Sequence, residues 1–404
     1  MTDKTWQIKI QNDLQLTVPA DINNYTTYVL LEQEDWCEPE IDFIREFIES
    51  GMTTLDMDAG YGVYVLSMAR EMEGEGKVIA LNTHEHFSQS VQENGLQDLV
   101  ATKLDDSTLD FIRLGEAELD ETLLQQGNPL IMFPADQERL YYFHDQGLVI
   151  YHYIPGLNAL APLQDKTSDQ GDLFACTKDR ADKLRKLELL TDSPLEEMQP
   201  SITWQQFLLQ FLYTQSMFQQ WKNSSIDPVF EHAINLYVSS QDPNLTLDQR
   251  YCLLRQSREA LSGLHEDDDT HPGTLLTLIR ACADLGEHLK ATTTANQLIK
   301  DIGEGKTINM DRPFVPPHED FDQHPVQHDL EKWLSAAILY AFEKHKADTS
   351  YYNPQQHLEV LNQTNKFPDS PLEIQRRFAL CAMRSGKDEH IQARSRLLEE
   401  DGRN

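Results

Sequence analysis

The sequence predicts an α/β domain built on a doubly wound sheet, followed by an α-helical domain. Over roughly the first 165 residues, short β-branched or apolar runs alternate with segments of helical periodicity. Strands that alternate with helices are typical of a parallel sheet with helices on both faces. Beyond residue 201 we find helical patterns and no convincing strand. The chain has 404 residues, which also favours two domains over one.

The α/β domain is expected to begin with a hairpin and to continue with a βαβ unit. Apolar residues alternate on both sides of Asn12 and Asp13, which is typical of a hairpin. Residues 53–58 and 77–82 predict parallel strands joined through a helix over 61–72. The other expected elements are helices over 39–50, 116–125 and 136–145, and strands over 110–114, 129–133 and 148–153.

We place the α/β domain at residues 1–165, a connecting region at 166–201 and the helical domain at 202–404. The connecting region is polar and turn-rich around a short basic helix. An amphipathic helix over 202–221 opens the last domain, and further helices are expected over 228–238, 247–263, 274–285, 289–302, 329–346, 354–363 and 371–384. The spacing of a possible helical hairpin over 274–302 does not recur, which favours an irregular bundle over a regular solenoid.

The charge of the chain limits the classes of partner. The formal net charge is −33 and the pI is near 4.6, with no basic stretch long enough to bind an anionic polymer. Nucleic acid and anionic membrane surfaces repel such a protein. No apolar run has the length of a signal peptide or of a membrane span, and the five cysteines are scattered. We therefore expect a cytoplasmic protein whose partners are proteins, small molecules or neutral glycans.

A candidate cofactor site lies in the segment "TTLDMDAGYGVYVLSMAR", residues 53–70. A strand ends at Asp56, and Gly60 and Gly62 follow in the turn before the next helix. In open α/β sheets the ligand binds beyond the carboxyl ends of the strands, where small residues let the backbone approach it. An acidic residue at the end of the second strand usually binds the ribose; here that position is Asn82.

Residues 27–184 resemble the FkbM family of S-adenosylmethionine-dependent methyltransferases. The similar segments are collinear with the family: "TYVLLEQEDWCEPEIDFIREFI", "GMTTLDMDAGYGVYVLSMAR", "GKVIAL", "LDFIRL", "PLIMF", "YIPGLNALAP" and "DLFACTKDRADKL". The helical domain is similar to a region that some members carry, around "RPFVPP", "EKWLSAAILYAFE" and "EIQRRFALCAMRSG". The resemblance implies a Rossmann-like methyltransferase fold, with S-adenosylmethionine as the cofactor.

Four departures from the family pattern fall on the expected cofactor site. Asp58 replaces the first glycine of the turn, and Asn82 replaces the acidic residue that binds the ribose. The aspartate expected after "DFIRL" is absent, so Glu116 and Glu118 are out of register. The segment between Asn94 and the next strand lacks the length for the strand and wall that the family has there. The site formed by Asp56, Asp58, Gly60, Gly62 and Asn82 is therefore interpreted as altered or vestigial.

Two functions remain open. The first is a catalytically degraded methyltransferase that acts as a non-catalytic scaffold or partner in glycan, flagellin or peptide modification, with no cofactor bound. The second is an active S-adenosylmethionine-dependent methyltransferase that acts on a sugar hydroxyl or a similar nucleophile. Glu116 and Glu118 are weak candidates for a general base, although acidic residues at the start of a helix more often stabilise its dipole.

A protein partner or a second copy of the chain is expected to bind the helix over 202–221, which has no acidic residue. Its Trp and Phe residues are expected in the core, while Leu209, Tyr213 and Met217 form a second apolar ridge that could contact the partner. No metal site is expected. The histidine-rich segments 265–271 and 318–329 match no known ligand spacing and are interpreted as solvated loops.

Overall fold

The computed structural model describes residues 4–118, 121–163, 171–191, 197–266, 271–306, 309–326, 329–365 and 371–386. The chain divides into two compact units. The first comprises Met1–Ile154 and Asn158–Thr191, and the second comprises Pro155–Leu157 and Asp192–Asn404. The domain limits expected at residues 165 and 201 stay predictions.

The first unit opens with the predicted hairpin. Strands β1 (Thr5–Lys9) and β2 (Gln15–Pro19) pair antiparallel, with Thr5 opposite Pro19, across a short 3₁₀ turn at Gln11–Asp13. The apolar side chains that alternate along β2 are fully buried. The hairpin is therefore confirmed, because the alternation in the sequence marks a buried face.

The central sheet has eight strands. They are β3 (Thr53–Asp56), β4 (Lys77–Ala80), β5 (Val100–Ala101), β6 (Leu109–Arg113), β7 (Gly127–Pro134), β8 (Val149–Ile154), β9 (Ala159–Pro162) and β10 (Asp172–Cys176), in the order β5-β4-β3-β6-β7-β10-β8-β9. β3 pairs parallel with both β4 and β6, and β6 with β7, whereas β10 is antiparallel to both of its neighbours. The strand order reverses between β3 and β6, which makes the sheet doubly wound and places the switch point there.

Helices flank these strands in the first unit. They are α1 (Tyr25–Gln33), α2 (Glu40–Phe47), α3 (Val63–Glu71), α4 (Phe87–Glu93), α5 (Gln137–Asp145) and α6 (Lys178–Lys186). Asn24, Asp136 and Thr177 cap α1, α5 and α6 by accepting backbone N–H groups with their side chains. The helices predicted at 39–50, 61–72 and 136–145 are thus present, each slightly shorter than the sequence pattern.

Two segments of the first unit differ from the predictions. The helix expected over 116–125 is a turn followed by a 3₁₀ segment, Glu121–Gln125. Gly115 has φ +54°, and Arg139 donates to the carbonyls of Gly115 and Ala117, so the chain is held in a turn where the helix should start. Strand β5 occupies the segment expected to lack one, although it is only two residues long.

Strand β10 was not predicted, and it lies inside the region interpreted as a connection. Its residues pair with Ile131–Pro134 of β7 on one side and with Val149–His152 of β8 on the other. Leu173, Phe174 and Ala175 are buried. The strand is hard to predict because the apolar run has only four residues and polar segments lie on both sides of it.

The second unit is helical in its described residues. Its α-helices are α7 (Trp204–Leu208), α8 (Phe218–Asn223), α9 (Pro228–Ser240), α10 (Leu247–Glu266), α11 (Pro272–Asp284), α12 (His288–Gly303), α13 (Leu330–Lys346), α14 (Pro354–Thr364) and α15 (Leu372–Arg384). From α9 to α15, each helix packs mainly against the helices before and after it, and α11 also contacts α9 and α13. This is a stacked array of helix pairs rather than the irregular bundle that the sequence favoured. The predicted fold class, a doubly wound α/β sheet followed by helices, is confirmed.

The long helix predicted over 202–221 is wrong. The segment forms α7, a 3₁₀ turn at Leu212–Ser216, and α8. Phe211 has extended backbone angles, which end the helical conformation. The Thr214 hydroxyl donates to the carbonyl oxygens of Leu208 and Phe211, which lie where α7 stops and helical N–H donors are lacking. The breaks allow Trp204, Tyr213 and Trp221 all to be fully buried.

The position of β10 gives a prediction about fragments. A fragment of residues 1–165 lacks β10 and leaves the inner edges of β7 and β8 unpaired, so it should not unfold cooperatively on heating. A fragment of residues 1–191 contains every strand of the sheet and should melt in one transition. Circular dichroism melts of the two fragments test this. A cooperative melt of the shorter fragment would show that β10 is dispensable.

Candidate functional site

The candidate site lies at the carboxyl edge of β3, β4 and β6, where the strand order reverses. The turn after β3 runs from Met57 to Gly62, and the turn after β4 begins at Leu81. The parallel pairing continues past the strand ends, because Gly60 forms an isolated bridge with Thr83. The two turns therefore lie against each other.

Five of the six backbone N–H groups of the first turn donate to acceptors within the protein, all but that of Tyr61. The bonds are Met57 N to Arg113 O (2.9 Å), Asp58 N to Asp56 Oδ1 (3.0 Å), Ala59 N to Leu81 O (3.0 Å), Gly60 N to Asn82 O (3.2 Å) and Gly62 N to Ala59 O (2.8 Å). Each of these N–H groups has one hydrogen to donate. A ligand at this turn would meet few donors that are not already used.

A buried ion pair lies beneath the turn. Asp56 ends β3 and is completely buried, and Arg113 ends β6 beside it. Nη1 of Arg113 lies 3.1 Å from Oδ1 of Asp56 and 3.0 Å from the backbone oxygen of Asp58. Burial raises the pKa of Asp56, and Arg113 opposes that rise by stabilising the carboxylate. One guanidinium thus fixes both the strand end and the turn.

Three further side chains surround Arg113. Its guanidinium lies over the ring of Tyr64, 4.1 Å from the centroid. The Tyr64 hydroxyl donates to Oε2 of Glu38 at 2.7 Å. Burial, together with the negative charge of Glu38, raises the pKa of Asp172 to about 7, while Arg113 lowers it. We call Asp56, Arg113, Tyr64, Glu38 and Asp172 the Arg113 cluster.

Asp58 points its carboxylate towards the turn that follows β6. A Cβ atom added to Gly115 would lie 2.8 Å from Oδ2 of Asp58, so the carboxylate is packed directly against that glycine. The backbone N–H of Glu116 lies 3.4 Å from the same oxygen. The Asp58 side chain therefore fills the space between the turn after β3 and the turn after β6.

Asn82 has a structural partner. Its Nδ2 donates to the carbonyl of Met57 at 2.7 Å, and its backbone has φ +51°, a conformation that asparagine tolerates. A carboxylate at this position could not make that donation. The His84 ring lies 4.5 Å from that of Tyr61, against Gly60. The second turn therefore covers the first.

Of the two glycines in the predicted site, Gly62 occupies the position that least tolerates a side chain. It has φ +100°, and an added Cβ would lie 3.0 Å from the Phe87 ring. Only glycine combines this backbone angle with so little space. Gly62 therefore matters to the close packing of the turn against α4.

Glu116 and Glu118 are both exposed. No helix begins at either residue, so the expectation that they stabilise a helix dipole is wrong. A catalytic role for Glu116 and Glu118 stays a prediction.

Arg113, Tyr64 and Asp172 were not predicted from the sequence as site residues. Arg113 had a usable signal, since it is a charged residue within the apolar strand "LDFIRL" and a buried charge requires a partner. No feature of the sequence indicated Asp172, because the strand that positions it was not predicted.

The apolar ridge that was predicted to bind a partner, within residues 202–221, is not exposed as a whole. Tyr213 and Met217 are buried, and the Tyr213 hydroxyl donates to the carbonyl of Phe314. Leu209 is 63% exposed. The ridge prediction is wrong for Tyr213 and Met217. The single helix that would have aligned them with Leu209 does not form.

The histidine-rich segments lie partly outside the described residues, at 267–270 and 327–328. Within 318–326, the loop is not simply solvated, since Phe321 is buried and Asp322 pairs with Arg280 at 3.2 Å. In the described part of the chain, no group of three or more His, Cys, Asp or Glu side chains could hold a metal ion. Among the described helices, none has the length and apolar character needed to cross a membrane.

Comparison with solved structures finds methyltransferases. An S-adenosylmethionine-dependent O-methyltransferase from Thermotoga maritima is 15% identical, with 43% of this chain and 77% of that chain covered and a TM-score of 0.26. An S-adenosylmethionine-dependent methyltransferase from Aquifex aeolicus is 17% identical over 38% and 93% of the two chains, with a TM-score of 0.26. A methyltransferase from Geobacter sulfurreducens is 12% identical over 40% and 90%, with a TM-score of 0.27.

No family model matches the sequence, and no curated protein matches it. The sheet order of the first unit shows a doubly wound α/β fold, and the described part of the second unit is helical.

The Arg113 pair gives a prediction about stability. Arg113→Met should lower the free energy of unfolding by about 3–5 kcal/mol, because it leaves Asp56 buried without its partner. The double variant with Asp56→Asn should lose less than the sum of the two single variants. Urea denaturation measures these differences.

Arg185→Met is the matched control, since Arg185 pairs with Asp182 on the surface and should cost less than about 1 kcal/mol. If Arg113→Met cost no more than this control, the Arg113 pair would not be a stabilising centre.

Proposed function

We propose that this chain is an FkbM-like methyltransferase-fold protein that has lost the use of S-adenosylmethionine. It acts as a non-catalytic scaffold or partner in glycan, flagellin or peptide modification. The observation that carries the proposal is that five of the six backbone N–H groups of the first turn donate to protein acceptors. In dinucleotide-type sites these groups face the ligand.

The side chains around the turn support the same conclusion. Asp58 adds a negative charge where the carboxylate of the methionine moiety should lie, and like charges in a partly desolvated site repel. Asn82 uses its amide donor on Met57 and has no negative charge to offer a ribose. The residues present therefore do not fit the cofactor in the family's manner.

A protein that performs no chemistry must act through contacts with other molecules. Stacked arrays of helix pairs, such as α9 to α15, expose extended surfaces that commonly bind partner chains. A net charge of −33 disfavours nucleic acid and anionic lipid as partners. We therefore infer a protein partner, either a second copy of the chain or an active paralogue.

An active S-adenosylmethionine-dependent methyltransferase that acts on a sugar hydroxyl is the second candidate. The Arg113 cluster favours it, because the pKa of Asp172 is about 7 and a group with that pKa suits general base catalysis near neutral pH. Asp172 begins β10, opposite Pro134 at the end of β7, so it lies at the edge where substrates bind in such sheets.

Calorimetry with S-adenosylhomocysteine and S-adenosylmethionine distinguishes the two candidates. The wild-type chain should give no heat of binding at ligand concentrations up to the millimolar range. The variant Asp58→Gly with Asn82→Asp should bind weakly but measurably, because it removes one like charge and restores a ribose acceptor. Aspartate is chosen over glutamate because it tolerates the positive φ of residue 82 better.

Asp98→Gly with Gln97→Asp is the matched control, since both positions are exposed and away from the two turns. It should bind no better than wild type. Low-micromolar binding by the wild-type chain would overturn the proposal and favour the active enzyme.

A further inference from the structure

The segment over residues 198–226 differs in charge from the rest of the chain. The sequence has 67 Asp and Glu residues among 404, yet none of them lies in this segment, where Lys222 is the one charged residue. Its other exposed polar residues carry amides and hydroxyls, and they include Gln210, Gln215, Gln219 and Gln220. We call residues 198–226 the acid-free segment.

Apolar side chains of the acid-free segment reach the surface at the end of α7. Leu209 is 63% exposed and Leu212 is 40% exposed, while Phe207 and Phe211 are partly exposed. The rings of Phe207 and Phe211 meet edge to face, with centroids 5.2 Å apart. We call these four residues the apolar patch. A group of exposed apolar residues indicates a contact surface, whereas a single one is ordinary.

The apolar patch has an ordered support beneath it. Phe211 stacks on Tyr213 with centroids 6.2 Å apart, and Tyr213 stacks on Trp333 at 5.6 Å. The buried Tyr213 hydroxyl donates to the carbonyl of Phe314, which fixes the position of its ring. A surface that is already ordered loses little conformational freedom when it binds a partner.

The other large apolar side chains that are exposed in the described residues lie among carboxylates in the sequence. Each has an Asp or Glu within four positions, and they are Leu104, Tyr141, Leu187, Val229, Leu289, Tyr352 and Leu372. For the apolar patch, the nearest acidic residue along the chain is Glu197, which lies outside the acid-free segment. The apolar patch therefore combines exposure with an uncharged sequence.

The lack of acidic residues indicates what kind of molecule covers the apolar patch. A basic partner gains from carboxylates at its contact, so it would bind elsewhere on a chain of net charge −33. An acidic partner is repelled by every carboxylate near the contact, so it approaches most easily where there is none. A second copy of this chain is such an acidic partner, and a two-fold contact sets the same surface of each copy against the other.

We propose that the apolar patch is the centre of a two-fold interface between two copies of this chain. In such a dimer the acid-free segments face each other, and their glutamines form the polar rim that specific interfaces have. A specific interface covers about 800 Å² on each partner, which is more than four side chains supply. The exposed amides of the acid-free segment therefore belong to the interface as well.

The dimer rests on the proposed function in one respect, since it names the partner through which a non-catalytic protein acts. The acid-free segment belongs to the second unit, whereas the turn after β3 belongs to the first. The two proposals can therefore fail separately. A monomer that binds no S-adenosylhomocysteine would contradict the dimer and leave the loss of cofactor use standing.

Sedimentation equilibrium of the full-length chain at several salt concentrations tests the dimer. Wild type should dimerise, and the dimer should become tighter as salt is added, because salt screens the repulsion between two acidic chains. Leu209→Glu with Leu212→Glu should weaken dimerisation by about a hundredfold, since carboxylates then face each other across the contact. Both residues are exposed, so this variant should keep the far-UV circular dichroism spectrum of wild type.

Leu289→Glu with Leu372→Glu is the matched control, because these residues are 63% and 55% exposed and belong to the same unit. The control adds the same charge and should dimerise as wild type does. Wild type that stays monomeric at high protein and salt concentration would overturn the proposal. Equal dimerisation by the two double variants would also overturn it, since the contact would then lie away from the apolar patch.

Discussion

The ion pair between Arg113 and Asp56 organises the candidate site of this protein. It joins the ends of two adjacent parallel strands, and the same guanidinium holds the backbone of Asp58. A buried charge must be paired, so the pair fixes where both strands end and how the following turn leaves the sheet. Tyr64 and Glu38 extend this arrangement to α3 and to the chain before α2.

The closed turn follows from this constraint and from the second turn that covers it. With Asp58 held at its backbone, its carboxylate packs against Gly115, and Asn82 draws the next turn towards Met57. Asp58 and Asn82, two of the departures from the pattern of the family that the sequence resembles, thus each have a contact of their own in the fold. A fold can persist in this way while the turns at its ligand-binding edge pack against each other.

Much of the fold was predictable because it depends on local periodicity. The helices from α9 to α15 and the βαβ unit around residues 53–82 have clear 3.6- and 2-residue patterns, and the structure contains them. β10 and the broken segment 202–221 were not predictable in this way, because long-range pairing and burial decide them. At the site, the sequence identified Asp58 and Asn82 as unusual, but it gave no sign of the contacts that occupy them. Arg113 was recognisable only as a charge within an apolar strand.

The most direct measurement of the central claim is hydrogen exchange at the first turn. The amides of Ala59 and Gly60 should exchange slowly in the protein alone, because the carbonyls of Leu81 and Asn82 accept their hydrogen bonds. Millimolar S-adenosylhomocysteine should leave their rates unchanged. Rapid exchange in the free protein, slowed many-fold by the ligand, would show an open turn that binds the cofactor and would contradict the account.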